Sequence, residues 1–442
     1  MTKEDTPAGE RGAGSALEVA AAAAGASSLV IGGSLVGHSS FARPLPTILY
    51  LTHRVPFPPD KGDRIRNYHL LRQLARRGRV WLGCLADEPV TAEVRAELDR
   101  LCERVAVVPV SGKQRWLRAG RSVLTGGSIS EGAFAEPGLF DVVRSWVREA
   151  GFGAAVISAS SLAPYLKDRS LDGVPRFVDL VDVDSQKWLD FAAAARGPKR
   201  WLYRFEAARV RKLERGLPAW TEAVAMVSRA EADVFDSFTQ AGAATVAANG
   251  VDLDYFRPRD VPVEPALAFV GAMDYLPNVD GAVWFAREVW PAVRARHPAA
   301  EFRVVGRKPA PEVQRLADLP GVRVLGSVPD VRPFVSSAAA AVVPLRLARG
   351  IQNKVLEAMA LGRPVVAAPP ALAALGTVPG RHLLRAATPD EWVEACCGLL
   401  ADHGRGNELG AAGRRYVETH HHWESCLEPF LNKVVPTDVA HR

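Results

Sequence analysis

The chain has 442 residues, 48% of them hydrophobic and 24% charged, so it exceeds one ordinary core and reads as two or three globular domains. A net charge of +6 is too mild for the footprint of a nucleic-acid binder, and five scattered cysteines without a C-x-x-C argue against a zinc site or a disulfide framework. That cysteine usage suits a reducing, cytoplasmic compartment. Residues 1–43 are rich in Ala, Gly and Ser, with the apolar stretch broken by Glu18, Ser27, Ser28 and several glycines, and with Lys3, Glu4, Asp5 and Glu10 at its start. This suits neither a spanning helix nor a secretory signal, and it predicts a disordered low-complexity extension or a start codon set too far upstream.

Order is expected from Pro46. Residues 48–51 are a short apolar run, read as a buried strand, followed by a turn-rich loop over 53–63. A helix follows with Ile65, Tyr68, Leu71 and Leu74 on one face, stopped by Gly78. Strands at 80–85 and 105–110 flank a helix at 91–101. Residues 111–150 read as basic and helical, with Trp116 close to Arg115, Arg118 and Arg121; the pattern suits a membrane surface, although a solvated helix face is the simpler reading. Further strands are expected at 154–158, 177–180 and 223–227, with a charged helix at 199–217. Turn chemistry at Asn249, Gly250, Val251 and Asp252 marks a linker. The alternation then restarts, with strands at 267–271, 301–305, 322–325, 340–343 and 364–367. Helices are expected at 278–296, 351–361, 406–420 and 423–434, and Thr388 to Glu391 opens another as a capping box. His420, His421 and His422 lie at a helix junction and read as exposed rather than as a metal tract. Strands alternating with helices predict an α/β chain with two parallel sheets covered on both faces.

Open parallel sheets bind ligands at the carboxyl ends of their strands, so the loops that follow strands carry the candidate chemistry. The first holds His53, Asp60, Lys61 and Gly62, with the glycine just before a helix N-terminus where backbone can approach an anion. Asp182 and Asp184 follow the strand at 177–180, where they suit the orientation of a ligand hydroxyl; no third ligand supports a metal. Gly306, Arg307 and Lys308 end one later strand, and Gly326 and Val328 follow another. The most informative segment is 344–367, PLRLARGIQNKVLEAMALGRPVVA. Arg349 and Gly350 stand at a helix entrance, and Lys354 and Glu357 lie three apart on one side of that helix. Cations and free N–H groups suit a diphosphate, and a carboxylate suits a pair of sugar hydroxyls.

The run from Glu357 to Val366, E-A-M-A-L-G-R-P-V-V, resembles the donor motif of glycosyltransferase family 4, a GT-B group. The likeness extends over about 46–434 and includes the first loop, Phe269-Val270-Gly271 and Trp423-Glu424. More narrowly, residues 61–66, 273–280 and 349–354 resemble sugar transferases of PEP-CTERM/exosortase exopolysaccharide loci. The chain departs from the family in two places: Arg349 replaces the first glutamate of its pair, and Ala272, Met273 and Asp274 replace the usual Arg and Lys after the F-V-G strand.

The resemblance implies two Rossmann-like doubly wound domains facing across a cleft, with C-terminal helices packing back toward the first. The expected divisions are 1–43, an acceptor domain at 44–249, a donor domain at 250–415 and a crossover helix and tail at 416–442. The implied activity transfers sugar from a nucleoside diphosphate sugar to an acceptor hydroxyl, with configuration retained, in exopolysaccharide or cell-surface glycan synthesis. The expected catalytic set is Asp182, Lys61 and Gly62; the donor set is Gly306, Arg307, Gly326, Val328, Arg349, Gly350, Lys354 and Glu357; the acceptor set is His53, Asp60 and Asp184. No cofactor and no metal are expected. The acceptor is a glycan or polyprenyl-linked molecule, and the location is cytoplasmic, with peripheral contact at the inner membrane face allowed. An epimerase of the same fold or a non-catalytic GT-B scaffold are the alternatives; a dinucleotide dehydrogenase is disfavoured because no G-x-G-x-x-G follows the first strand of either half.

Overall fold

The computed structural model describes residues 45–110 and 112–436; the expected extension at 1–43 and the end of the tail lie outside the described residues. The first sheet comprises β1 (Thr47–Thr52), β2 (Arg79–Ala86), β3 (Arg104–Pro109), β4 (Ala154–Ser158), β5 (Arg176–Val181), β6 (Ala223–Met226) and β7 (Ala244–Val246). All its pairings are parallel, in the order β3-β2-β1-β4-β5-β6-β7. The second comprises β8 (Glu264–Val270), β9 (Glu301–Val305), β10 (Val322–Gly326), β11 (Ala338–Val343), β12 (Val365–Ala367) and β13 (Leu384–Arg385), parallel in the order β10-β9-β8-β11-β12-β13. In each sheet the order reverses beside the first strand, between β1 and β4 and between β8 and β11. Consecutive connections leave on opposite faces there and open a crevice at the carboxyl ends.

Both faces of the first sheet are buried, and the period-two alternation of β1 shows how. Ile48 and Tyr50 enter one core and Leu49 and Leu51 the other. The core holding Ile48 also receives Trp423, Leu427, Phe430 and Leu431 from the helix Trp423–Val434, so the C-terminal chain returns to cover the first sheet beside the helix Gly62–Arg77. In the second sheet Leu267 and Phe269 of β8 join the large core, while Ala266 and Ala268 face Ala338 of β11.

Two expectations need correction. The helix expected over 278–296 is Leu276–Trp284 and Trp290–Arg296, joined by a π-helical stretch, Phe285–Val289. Pro291 accounts for this, since it lacks the N–H that would continue the ladder and its ring crowds the preceding turn. The basic region after residue 111 is helical as expected, in the pieces Gly112–Leu124, Ile129–Phe134 and Pro137–Glu149. His421, expected to be exposed with its neighbours, is buried, and its Nδ1 donates to the Asn249 carbonyl at 2.9 Å. Among the described residues no cluster of three or more metal-ligating side chains occurs, and no helix is long and apolar enough to cross a membrane.

Candidate functional site

The carboxyl edges of the two sheets meet through the loops at their reversal points. On the first sheet the centre is the end of β5. Val181 has φ +68°, a left-handed conformation that β-branched residues rarely adopt, and Asp182 follows it. The Asp182 Oδ1 atom is buried and has no partner among the described residues. Burial, reinforced by Glu231, pushes the Asp182 carboxyl up to about 6, against the pull of Lys187. Two residues on, Asp184 accepts from Lys187 Nζ and Ser160 Oγ, each at 2.6 Å. Burial raises its carboxyl, but the Lys187 charge and the two donors outweigh that and hold it below the ordinary value. Lys187 is held protonated, its pKa raised chiefly by Asp184. The helix Asp184–Ala194 that carries Lys187 is anchored beneath by Glu214, which accepts from the Ser185 backbone N–H at 3.1 Å and from its hydroxyl. Glu214 is pushed up to about 7 by burial and by Asp184.

The loop after β1 lies on the same edge. His53 Nε2 is 3.2 Å from Asp63 Oδ2, and Arg54 Nη1 is 3.1 Å from the same atom. Burial works against its charge, yet these partners hold the Asp63 carboxyl well below the usual range. His53 is thus spent partly on Asp63, while its Nδ1 is buried without a partner among the described residues. Asp60 pairs with Arg64 at 3.2 Å and reaches Arg307 of the second sheet at 3.7 Å. Lys61 caps the helix Gly62–Arg77 in extended backbone, and Gly62 opens it with free space where a Cβ would stand.

On the second sheet the loops after β8 and β9 interlock. Gly306 has φ +153°, and a Cβ there would fall 1.6 Å from the Gly271 carbonyl oxygen, so this approach requires glycine. A Cβ on Gly271 would in turn stand 3.0 Å from Lys354 Nζ and 2.7 Å from Asn278 Nδ2. Lys354 donates to Asn278 Oδ1 at 2.5 Å, and Asn278 is fixed by donating to the Ala272 carbonyl at 2.9 Å. Burial lowers Lys354 to about 8, with Glu357 opposing the shift, and burial raises Glu357 to about 7. Both line a small recess of about 20 Å³ whose other walls include Val270, Val331, Val335 and Val343. A cation and a carboxylate beside glycine backbone give the charged and hydroxyl groups of a ligand partners at this edge. Gly326 follows with φ +66°, and Val328 is half-buried in the next loop.

Arg349 does not stand free, as its loop position suggested. Its guanidinium crosses to the first sheet and pairs with Asp190 at 2.9 Å and Glu231 at 3.0 Å. Glu231 also accepts from the Val183 N–H at 2.8 Å, so it ties Arg349 to the Asp182 loop. Gly350 has φ +60°, and a Cβ on it would lie 2.2 Å from Asp182 Oδ1.

The structure therefore gathers Asp182, Asp184, Arg349 and Gly350 at one meeting of the edges, with Asp60 and Arg307 bridging at a second. Lys354 and Glu357 lie together deeper on the second edge. Sequence reasoning missed Lys187, Ser160, Glu214, Glu231 and Asn278. Lys187 is three residues beyond Asp184, one helical turn, and this spacing was the available signal. The others lie far away in sequence and are joined only by the fold.

Residues 264–402 match a sequence-family model described as glycosyl transferases group 1. No curated protein matches the chain in sequence. Among solved structures it resembles Anabaena HepE in complex with UDP and glucose, at TM-score 0.63 and 13% identity over 88% of this chain and 99% of that one. It also resembles a sucrose-phosphate synthase of Thermosynechococcus elongatus, at TM-score 0.64 and 17% identity over 87% and 98%. A third is an S. aureus TarM mutant in complex with fondaparinux, α-GlcNAc-glycerol and UDP, at TM-score 0.62 and 10% identity over 88% and 99%. At these identities the likeness is one of fold, and the fold is GT-B.

Proposed function

We propose that this chain is a glycosyltransferase that moves a sugar from a nucleoside diphosphate sugar to an acceptor hydroxyl. The observation that carries the reading is that charged groups of both sheets gather where the two edges meet. Lys354 and Glu357 line a recess beside close-packed glycine backbone on the second edge, and Asp182 of the first edge lies against Gly350, in the loop that leads into their helix. The family match over the second sheet supports a donor site there. In this reading Lys354 and Arg307, with the backbone at Gly306, Gly326 and Gly350, hold the diphosphate, while Arg349, paired with Asp190 and Glu231, fixes the Gly350 loop. Glu357 holds hydroxyls of the ribose or sugar, and Val328 lines the donor's path. His53, Asp60 and Asp184 position the acceptor.

In the reaction the acceptor oxygen bonds to the anomeric carbon as the bond from that carbon to the diphosphate oxygen breaks. The electron pair leaves with the diphosphate, and Lys61, the N–H groups at Gly62 and the Lys354 charge stabilise it. Asp182 orients the hydroxyl, and the departing diphosphate takes its proton, which accords with retention and needs no metal. The acceptor is a glycan or polyprenyl-linked molecule used in exopolysaccharide or cell-surface synthesis, reached from the cytoplasm at the inner membrane face. The narrower resemblance to PEP-CTERM/exosortase transferases supports that setting.

The test is nucleotide release by the full chain, in EDTA, from UDP-, GDP-, ADP- and CMP-sugars with and without glycan acceptors. HepE was crystallised with UDP, so UDP-glucose comes first. Acceptor-dependent release with one donor is expected. Nucleotide binding without any release would instead favour the scaffold, and release restored only by magnesium or manganese would remove the metal-free mechanism.

A further inference from the structure

The helix Gly112–Leu124 is packed with its apolar side outward. Its inward side is small and polar: Ala119 is buried, Arg118 pairs with Glu136, and Ser122 Oγ donates to the Ser128 carbonyl. Its large apolar side chains face away, with Trp116 66%, Leu117 76% and Leu124 88% exposed. The helix Pro198–Gly216 repeats the pattern with Trp201 75% and Leu202 50% exposed and Phe205 also outward.

The two helices belong to one face. Glu206 of the second accepts from the Ile129 and Ser130 N–H groups, both at 2.8 Å, where the short helix Ile129–Phe134 begins. That short helix lies directly on the first, since a Cβ on Gly132 would stand 2.5 Å from the Arg118 carbonyl oxygen and the Ser122 Cβ. Arg209 of the second helix also reaches the Gly126 turn, 3.4 Å from its Cβ position.

The charge of this face has one sign. Residues 112–124 contain no carboxylate, and the two in 196–216, Glu206 and Glu214, are both buried and bonded inward. Lys113 and Arg121 on the first helix, and Lys199, Arg200 and Arg204 on the second, are exposed. Protein interfaces deplete lysine and match charges of both signs. Exposed tryptophans among unopposed cations instead suit a bilayer, with an apolar interior beneath a uniformly negative headgroup layer.

We propose that these two helices form the surface by which the protein docks on an anionic lipid bilayer. Docking deepens the glycosyltransferase reading, on which its consequence for the acceptor rests. The helix Asp184–Ala194, which carries Lys187, packs along Pro198–Gly216 through rings of Trp188, Phe191 and Tyr203, with centroids 5.5 to 6.1 Å apart. A docked molecule holds that helix pair beside the membrane, which favours an acceptor whose headgroup is joined to a lipid tail.

The experiment is co-sedimentation of the full chain with vesicles of phosphatidylcholine alone and of phosphatidylcholine with one-quarter phosphatidylglycerol. Binding to the anionic vesicles alone, weakened by salt, is expected. Trp116→Ser with Trp201→Ser, and Lys199→Glu with Arg204→Glu, should each reduce it by about tenfold or more. All four side chains are exposed, so melting temperature and nucleotide affinity should not change. No binding by the wild type, or binding that survives both double variants, overturns the proposal. So does a dimer in solution that the tryptophan variant breaks, which would give the face to a second copy. Vesicle binding by a protein that transfers no sugar leaves docking intact and removes the glycosyltransferase reading. Transfer to a water-soluble acceptor without vesicle binding does the reverse.

Discussion

At the scale of single residues, Lys354 and Glu357 illustrate how burial sets a working pH. Burial lowers Lys354 to about 8, so its charge fades as pH rises through that value. A diphosphate held by the protonated amine should therefore bind more weakly above about pH 8, although the bound anion shifts the midpoint upward. Calorimetric titration of UDP from acid to alkaline pH should show this slope in the wild type and a flatter one in Lys354→Arg, which keeps its charge. Lys354→Met should weaken nucleotide binding about tenfold or more, the loss of a charge-assisted hydrogen bond. Glu357 is raised to about 7, so below that pH it carries its own proton. Glu357→Gln resembles that protonated form. Its penalty in UDP binding should be small near pH 6 and grow toward pH 8, and an equal penalty at both would remove the carboxylate from the donor site.

At the scale of elements, the glycine loops hold the second edge together. Gly306→Ala forces a Cβ onto the Gly271 carbonyl oxygen in a backbone region that L side chains avoid. Such strain costs about 1–3 kcal/mol before any displacement, so a lower melting temperature and weaker nucleotide binding should appear together. An unchanged melt would mean that the β8 and β9 loops do not interlock as described. These elements also show what the sequence discloses. The strand at 48–51, the helix at 199–217 and the capping box at Thr388 were legible because hydrophobic period and cap chemistry are local. β7 and β13 were not, since three and two residues carry no period. The Lys354 and Glu357 pair was legible as one side of a helix. The carboxylates that hold Arg349 were not, because Asp190 and Glu231 reach it only through the packing of one sheet edge on the other.

At the scale of the whole molecule, one buried ion pair ties the parts together. Arg66 and Asp179 have fully buried side chains, joined by two bonds of 2.9 Å. The remaining Arg66 nitrogen donates to the Ala247 and Ala248 carbonyls and to Asn249 Oδ1, at 2.8, 2.9 and 3.1 Å. Asn249 donates to Asn353 at the start of the donor-side helix, and its carbonyl accepts from His421 beside the returning C-terminal helix. The helix after β1, β5 and the linker thus meet at one guanidinium, and Asn249 extends the network to the donor-side helix and to His421 before the crossover. Replacing a buried pair with apolar residues of equal volume is often neutral, but removing one partner strands the other charge and costs about 3–5 kcal/mol. Arg66→Met should accordingly lower the melting temperature far more than a surface substitution such as Arg100→Met. Because the same group anchors the linker, calorimetry should show both domains melting earlier in a single transition, and UDP affinity measured well below that transition should fall as Asn353 loses its tether. A shift no larger than that of the surface variant would mean that the pair is not the junction described. Two separated transitions with only the first moved would mean that the linker does not carry the coupling.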